Sequence, residues 1–175
     1  MITTIREGRL QFQFGSRWQI VKLDDHPAYR NRIAKLSGTK AVDILGILDA
    51  RQIYLFEIKD FRQHRIENKD RSLPEEIGQK VLGTIGCIVG AHKANPFDIW
   101  HRYLQLLENA ESNIYVIIWV ERSPEPSSIL KQKVKRSMRA KNFKRQLGWL
   151  TQKVRVVDHK SHKIEDLHVS NISRT

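Results

Sequence analysis

The sequence of 175 residues has one cysteine, no uninterrupted apolar run of about 18 residues and no apolar N-terminal leader. Because a single thiol cannot form an internal disulfide, we expect Cys87 to be a small buried core residue. The missing membrane span and leader predict a protein that stays in the cytoplasm. Internal repeats, a glycine-rich phosphate loop, a Cys/His zinc pattern and a nucleophilic triad are also lacking. We therefore expect one domain, residues 1–175, whose functional site is of a different type from these.

Positive charge is abundant and unevenly distributed. The chain has 31 Lys and Arg residues against 19 Asp and Glu residues, a net charge of +12. From Arg122 onward there are 14 basic and 4 acidic residues, and the stretch from Lys131 to Arg145 has eight basic residues and no acid. Such a stretch suits a polyanion, because each phosphate contact releases counterions. We predict a basic helix that binds nucleic acid through Lys131, Lys135 and Arg139, with an apolar stripe too narrow for a membrane surface.

The most informative segment is positions 40–61, KAVDILGILDARQIYLFEIKDF. It is typical of two apolar strands joined by a turn, and each strand contains an acid. If the turn is residues 49–51, paired position numbers sum to 100 and Asp43 lies opposite Glu57. Lys59 falls on the same face as Glu57, because side chains on a strand alternate with a period of two. Two carboxylates and an ammonium group are therefore expected at one end of the hairpin.

Apolar residues occupy both faces of these two strands, which indicates a hairpin covered on both sides. Carboxylates at the end of such a hairpin would be partly buried, which is costly unless they are paired or bind a metal. Mg²⁺ typically binds one or two carboxylates together with water and substrate phosphate. The pattern therefore favours a hard divalent cation, Mg²⁺ or Mn²⁺, bound by Asp43 and Glu57.

These residues resemble the signature of the PD-(D/E)xK nuclease superfamily, an acid on one core strand followed by an acid–apolar–Lys triplet on the next. Here the signature is Asp43 followed by Glu57, Ile58 and Lys59, with Val42 in place of the proline that names the motif. The superfamily includes restriction endonucleases and Holliday-junction resolvases. The resemblance covers about positions 20–120 and implies metal-dependent hydrolysis of DNA. It further implies that the Ile58 carbonyl is a metal ligand and that Lys59 assists the attack of water.

The remaining pattern agrees with an α/β protein that has a restriction-endonuclease-like core, a central mixed β-sheet flanked by helices and an added N-terminal β-hairpin. The predicted elements are a hairpin over 10–23, helices near 27–36, from Pro74 and over 97–109, a strand over 114–120, the basic helix, and a last strand over 154–157. The nuclease core is expected at about 20–121, followed by the basic helix and strand at 126–160. An aspartate is expected to cap the helix near 27–36.

Further site candidates come from the resemblance. Family members often have another acid near the first helix, where Asp24 and Asp25 stand, and a polar residue on the helix after the triplet, here Gln79. A helix cap explains one of the aspartates equally well, and an ordinary surface position explains Gln79. Asp60 should point to the opposite face from Lys59. Glu7 is too early in the chain to be placed.

Three functions remain open: an Mg²⁺-dependent endonuclease, a catalytically weak nucleic-acid-binding module on the same fold, and a protein whose basic helix docks an acidic partner. The intact acid–acid–lysine set favours the nuclease, because a binding module does not need these three groups together. DNA is the expected substrate, RNA stays an alternative, and a homodimer is compatible with the sequence. Sequence, end or junction preference is not encoded in any motif of this chain, and neither is the choice of Lys59 as base or electrostatic stabiliser.

Overall fold

A computed structural model describes residues 1–31, 33–36, 38–62, 72–94, 99–122 and 140–172. Its strands are β1 (Thr3–Glu7), β2 (Leu10–Phe14), β3 (Trp18–Lys22), β4 (Ile44–Leu48), β5 (Gln52–Asp60), β6 (Asn113–Glu121), β7 (Val154–Val157) and β8 (Leu167–Asn171). Its helices are α1 (Pro27–Arg30), the 3₁₀ helix Ile33–Lys35, α2 (Leu73–Ala94), α3 (Ile99–Glu108) and α4 (140–147). The predicted nucleic-acid contacts Lys131, Lys135 and Arg139 lie outside the described residues.

Five strands form the central sheet in the order β3-β4-β5-β6-β7. β3, β4 and β5 are antiparallel neighbours, whereas β6 and β7 continue the sheet parallel to β5. The sheet is therefore mixed, as predicted. The β4–β5 register runs from Ile44–Phe56 to Leu48–Gln52, so the predicted hairpin and its turn at 49–51 are confirmed.

Both faces of the central sheet are buried, as the apolar strands predict. On β5, Ile53 and Leu55 belong to a core covered by the helices, whereas Tyr54 and Phe56 belong to a second core. The second core is closed by a three-stranded antiparallel sheet of order β1-β2-β8. In the described structure, helices therefore flank the central sheet on one face only, and the small sheet takes the other.

The predicted hairpin over 10–23 is wrong. β2 pairs with β1 and β8 in the small sheet, whereas β3 pairs with β4 in the central sheet. The chain crosses between the sheets at Gly15, whose N–H donates to the carbonyl of Asp166 at 2.9 Å. A Cβ at Gly15 would lie 1.9 Å from the Asp166 carboxylate, so a larger residue at this crossing would force the Asp166 side chain to move. The N-terminal hairpin of the structure is β1–β2 instead, and β7 is followed by β8, which the sequence analysis missed.

The first helix is shorter than predicted, because α1 ends at Arg30 and a separate 3₁₀ helix follows it. Its N-cap is His26, whose Nδ1 accepts from the N–H of Ala28 at 3.2 Å, so the predicted aspartate cap is wrong. Asp24 and Asp25 instead lie 3.8 and 3.1 Å from the ammonium of Lys22. Both aspartates therefore interact with Lys22, and neither of them caps α1.

α2, predicted from Pro74, runs along the helix-covered core and buries Cys87 completely, as expected. Gly83 permits its closest approach to the neighbouring backbone, because an added Cβ would lie 2.1 Å from the carbonyl oxygen of Lys40. Among the described helices, none has the length and apolar character that a membrane span requires.

Candidate active site

Asp43 is fixed at the end of β4 by three hydrogen bonds. Its N–H donates to the carbonyl of Phe56 (3.1 Å), and its carbonyl accepts from the N–H of Leu23 (3.0 Å). Its Oδ2 accepts from the N–H of Ile58 at 2.6 Å. The regular β4–β5 ladder begins with the pair Ile44–Phe56, one residue after Asp43, so Asp43 does not form the opposed ladder pair with Glu57 that the turn predicts. Its side chain nevertheless reaches β5 beside that acid.

Glu57 is fully buried on β5, with 0% of its surface exposed. Its Oε1 accepts from Nζ of Lys80 at 2.6 Å and lies 3.0 Å from Nζ of Lys59. Its Oε2 is buried and has no hydrogen-bond partner among the described residues. Burial, and then the charge of Asp43, raises the pKa of Glu57 above its usual range, although Lys80 and Lys59 oppose the shift. Glu57 is thus a desolvated carboxylate with one oxygen available to a further ligand.

Lys80, delivered by α2, was missed by the sequence analysis. Its Nζ lies 2.6 Å from Oε1 of Glu57 and 3.5 Å from Oδ1 of Asp43. One turn further along the helix, the hydroxyl of Thr84 accepts from the N–H of Val42 (2.9 Å) and donates to the carbonyl of Lys80 (2.8 Å). This buried threonine links α2 to the residue before Asp43. It thereby fixes the position of the Lys80 backbone relative to the two acids.

The predicted α2 candidate, Gln79, is exposed. With 3.6 residues per turn, the buried residues Ile77, Val81 and Thr84 define the inward side of α2, and position 79 lies almost opposite to it. Position 80 lies at the border of the inward side, from which a long lysine side chain reaches the sheet. The helical period of the buried residues was the signal that would have found Lys80.

Lys59 lies between two carboxylates, as its Nζ is 3.0 Å from Oε1 of Glu57 and 2.9 Å from Oε1 of Glu76. Burial lowers the pKa of Lys59, but the two carboxylates outweigh burial, so the pKa is raised above its ordinary value. Lys59 is therefore an ammonium group at neutral pH. Glu76 lies in the first turn of α2 and is not among the predicted site residues.

A second set of charges adjoins Asp43 on the side of β1 and β3. Lys22 lies 3.4 Å from Glu7, 3.8 Å from Asp24 and 3.1 Å from Asp25. Burial, and then the charge of Asp43, raises the pKa of Glu7. Asp24 also has a raised pKa, mainly through burial, with Asp25 and Asp43 adding to the shift. The structure thus brings Glu7, which the sequence could not place, and the candidate Asp24 into the electrostatic field of Asp43. The more exposed Asp25 lies at the edge of this group.

The site and its border are acidic in a strongly basic chain, with twice as many carboxylates as ammonium groups. The acids are Glu7, Asp24, Asp25, Asp43, Glu57 and Glu76, and the ammonium groups are those of Lys22, Lys59 and Lys80. If all are ionised, the local charge is negative, and that field attracts cations.

The sequence matches no protein-family model, no curated protein and no solved structure. Within the described ranges, no group of three or more His, Cys, Asp or Glu side chains is arranged to hold a metal ion. Asp43 and Glu57 are two oxygen donors, the number of carboxylates that Mg²⁺ commonly uses beside water and phosphate.

The opposite face of the central sheet carries acids of a different kind, Asp60 on β5 and Glu121 on β6. Asp60 points away from the site, as predicted, and lies 2.6 Å from Nη2 of Arg62. The buried acid Glu121 accepts from Nε1 of Trp119 (2.9 Å) and from the backbone N–H of His159 (2.8 Å), and its second oxygen lies 2.8 Å from the ring of His159. Both Glu121 oxygens are therefore satisfied, in contrast to the free Oε2 of Glu57.

Exposed basic side chains lie on α4, which packs against α2. α4 buries Phe143 and Leu147 in the helix-covered core and exposes Lys141, Lys144 and Arg145. Its Gln146 side chain approaches Gly78 so closely that an added Cβ would lie 2.8 Å from Gln146 Cγ. Gly78 projects from α2 roughly 160° around the helix from Glu76 and from Lys80, so α4 packs on a different side of α2 from the acidic cluster. Residues 140–157 contain five basic residues and no acid.

Proposed function

We propose that this chain is a metal-dependent nuclease that hydrolyses phosphodiester bonds in DNA. The observation that carries the proposal is the buried, unpartnered Oε2 of Glu57 beside Asp43 and Lys59. A buried carboxylate oxygen without a partner is expensive, because desolvation is not repaid by a hydrogen bond. A bound divalent cation would repay it.

The donor set fits Mg²⁺ or Mn²⁺, since Asp43 and Glu57 offer hard oxygen ligands with no thiolate or imidazole beside them in the described structure. By resemblance to the nuclease superfamily, the carbonyl of Ile58 would add a third oxygen. When bound, the cation would polarise the phosphate and lower the pKa of a water. Asp43 and Glu57 would hold and orient it from two adjoining strands.

Lys59 would act as an electrostatic stabiliser. The carboxylates of Glu57 and Glu76 keep it protonated and fix its position, so it is a poor proton acceptor at neutral pH. An ammonium held in a partly desolvated site is well suited to neutralise charge that develops on phosphoryl oxygens.

Nucleic acid would be held by the basic surface around α4, supported by Lys141, Lys144 and Arg145 beside α2. Contacts of this type neutralise phosphates without reading sequence. Cation binding by the acidic site would thus be combined with polyanion binding by the exposed basic side chains of α4, which packs against the same helix α2.

A nucleic-acid-binding module with little catalysis is the alternative, and one observation favours it. Lys80 and Lys59 already neutralise Oε1 of Glu57, and the described residues offer no set of three metal-binding side chains. Such a protein would bind DNA without any need for divalent cations.

Cleavage assays separate the two functions. Labelled single-stranded, duplex and branched DNA, and RNA of the same sequence, are incubated with the protein in Mg²⁺ or in EDTA. We expect cleavage in Mg²⁺ and its loss in EDTA and in Glu57→Gln, which is isosteric. Asp60→Asn is the matched control, because it removes a carboxylate from the opposite face of the same strand. Equal cleavage by Glu57→Gln and wild type, or DNA binding without any cleavage, would refute the nuclease.

A further inference from the structure

Lys80 connects the two acids of the candidate site. Its Nζ lies 2.6 Å from Glu57 Oε1 and 3.5 Å from Asp43 Oδ1, and only 13% of its side chain is exposed. The backbone beneath it is anchored, because the carbonyl of Lys80 accepts from the buried hydroxyl of Thr84. The fold therefore holds the ammonium of Lys80 close to these two carboxylates.

An ammonium group at this position competes with a divalent cation. A cation about 2.1 Å from Asp43 Oδ1 would lie within about 6 Å of Nζ of Lys80. Like charges at that separation in a desolvated site repel strongly. The ammonium of Lys80 and a divalent cation therefore cannot both bind closely to Asp43 and Glu57.

We propose that Lys80 neutralises Asp43 and Glu57 in the free protein and moves to a substrate phosphate when nucleic acid binds, so that the metal ion and the nucleic acid bind together. The inference rests on the proposed nuclease function. A lysine is suited to such an exchange, because its four-carbon side chain is flexible and its ammonium group binds both carboxylates and phosphates as a point charge. The phosphate that draws Lys80 away is also a ligand that Mg²⁺ commonly uses. Metal occupancy is thereby coupled to the presence of substrate, which prevents the free protein from holding an activated water.

The test is Mn²⁺ binding to the full chain without nucleic acid, measured by titration calorimetry and by electron paramagnetic resonance. Lys80→Gln should bind Mn²⁺ about tenfold or more tightly than wild type, the size of effect that one charge within about 6 Å exerts on an ionic equilibrium. Lys22→Gln is the matched control: it removes one ammonium from the same acidic region, but from Glu7, Asp24 and Asp25. It should raise the affinity less than Lys80→Gln does.

Lys80→Arg keeps the proposal testable if Lys80→Gln does not fold. A guanidinium bridges carboxylates more firmly than an ammonium does, so Mn²⁺ should bind Lys80→Arg no more tightly than wild type. A second measurement uses the Lys59→Ala background, in which turnover is expected to be slow. There, a duplex oligonucleotide should tighten Mn²⁺ binding, and adding Lys80→Gln should remove most of that coupling.

Equal Mn²⁺ affinity in wild type and in Lys80→Gln, with measurable binding in both, would overturn the role of Lys80 and leave the metal-dependent nuclease intact. Tighter binding by Lys80→Arg, or the same gain in Lys22→Gln as in Lys80→Gln, would overturn it as well. Absence of Mn²⁺ binding in every variant, with or without DNA, would overturn the proposed function itself.

Discussion

Gly83 and Gly86 stand less than one turn apart on α2 and provide a sharp test of how the helix positions the site. An added Cβ at Gly83 would lie 2.1 Å from the backbone carbonyl oxygen of Lys40, whereas a Cβ at Gly86 would meet nothing within 4 Å. Alanine is better than glycine in a helix by roughly 1 kcal/mol. The same substitution should therefore have opposite signs at the two positions.

Gly83→Ala should destabilise the protein by about 1–3 kcal/mol, the usual cost of overpacking, because a backbone carbonyl cannot rotate out of the way. Gly86→Ala should stabilise it by up to about 1 kcal/mol. Urea unfolding followed by far-UV circular dichroism gives the free energy of unfolding for both variants. The displaced segment before β4 carries Val42 and Asp43, so Gly83→Ala should also weaken Mn²⁺ binding, and Gly86→Ala should not.

Equal stability of the two variants would refute the close approach of α2 to Lys40. Loss of stability in Gly83→Ala with unchanged Mn²⁺ binding would instead mean that α2 does not set the position of Asp43. The two measurements therefore test separate steps of the same structural reasoning.

Three further predictions concern single features. Because burial raises the folded-state pKa of Glu57, the folded protein binds this proton more tightly than the unfolded chain, and the associated stability is lost as pH rises above about 4.3 toward the folded pKa. In urea unfolding, Glu57→Gln should therefore gain stability relative to wild type from pH 4 to pH 8. A constant difference in stability would contradict the raised pKa. Cys87, buried with a pKa of about 11, should react with a thiol reagent at pH 8 in urea but not in buffer. Changing Lys141, Lys144 and Arg145 to Gln should make the slope of log affinity against log salt for duplex DNA shallower by about 0.9 per lost phosphate contact, and an unchanged slope would favour the docking of an acidic protein.

The central hairpin could be predicted from the sequence because its information is local. Residues 49–51 fix the register, and both faces of 44–48 and 52–58 are apolar, so the positions of Glu57 and Lys59 followed from counting. Asp49 and Ala50 adopt positive φ angles of 50° and 58°, as a tight hairpin turn requires. The turn alone was enough to bring Asp43 near the triplet.

Partners that are distant in the sequence could not be predicted in this way. Alternation in 10–14 shows a strand but does not show which strand pairs with it, and the pairing with β8 closes over more than 150 residues. Glu7 reaches the site only because the small sheet places β1 beside β3. Lys80 and Glu76 depend on the rotation of α2 against the sheet, which was available from the spacing of its buried residues.

Stability alone gives a poor account of Glu57. On β5 it continues the face of Ile53 and Leu55, where another aliphatic residue would extend the helix-covered core. Burial of ions is often no better for stability than a well-packed apolar replacement, even when partners are present. Here burial and a neighbouring acid raise the pKa of Glu57, and one of its oxygens has no partner in the described structure. Glu121, at the same end of the sheet, is buried with both oxygens satisfied, so the fold is able to satisfy a buried acid completely. The unpartnered oxygen of Glu57, in a fold that satisfies Glu121 on the other face, therefore supports the proposed cation site more than a purely structural role.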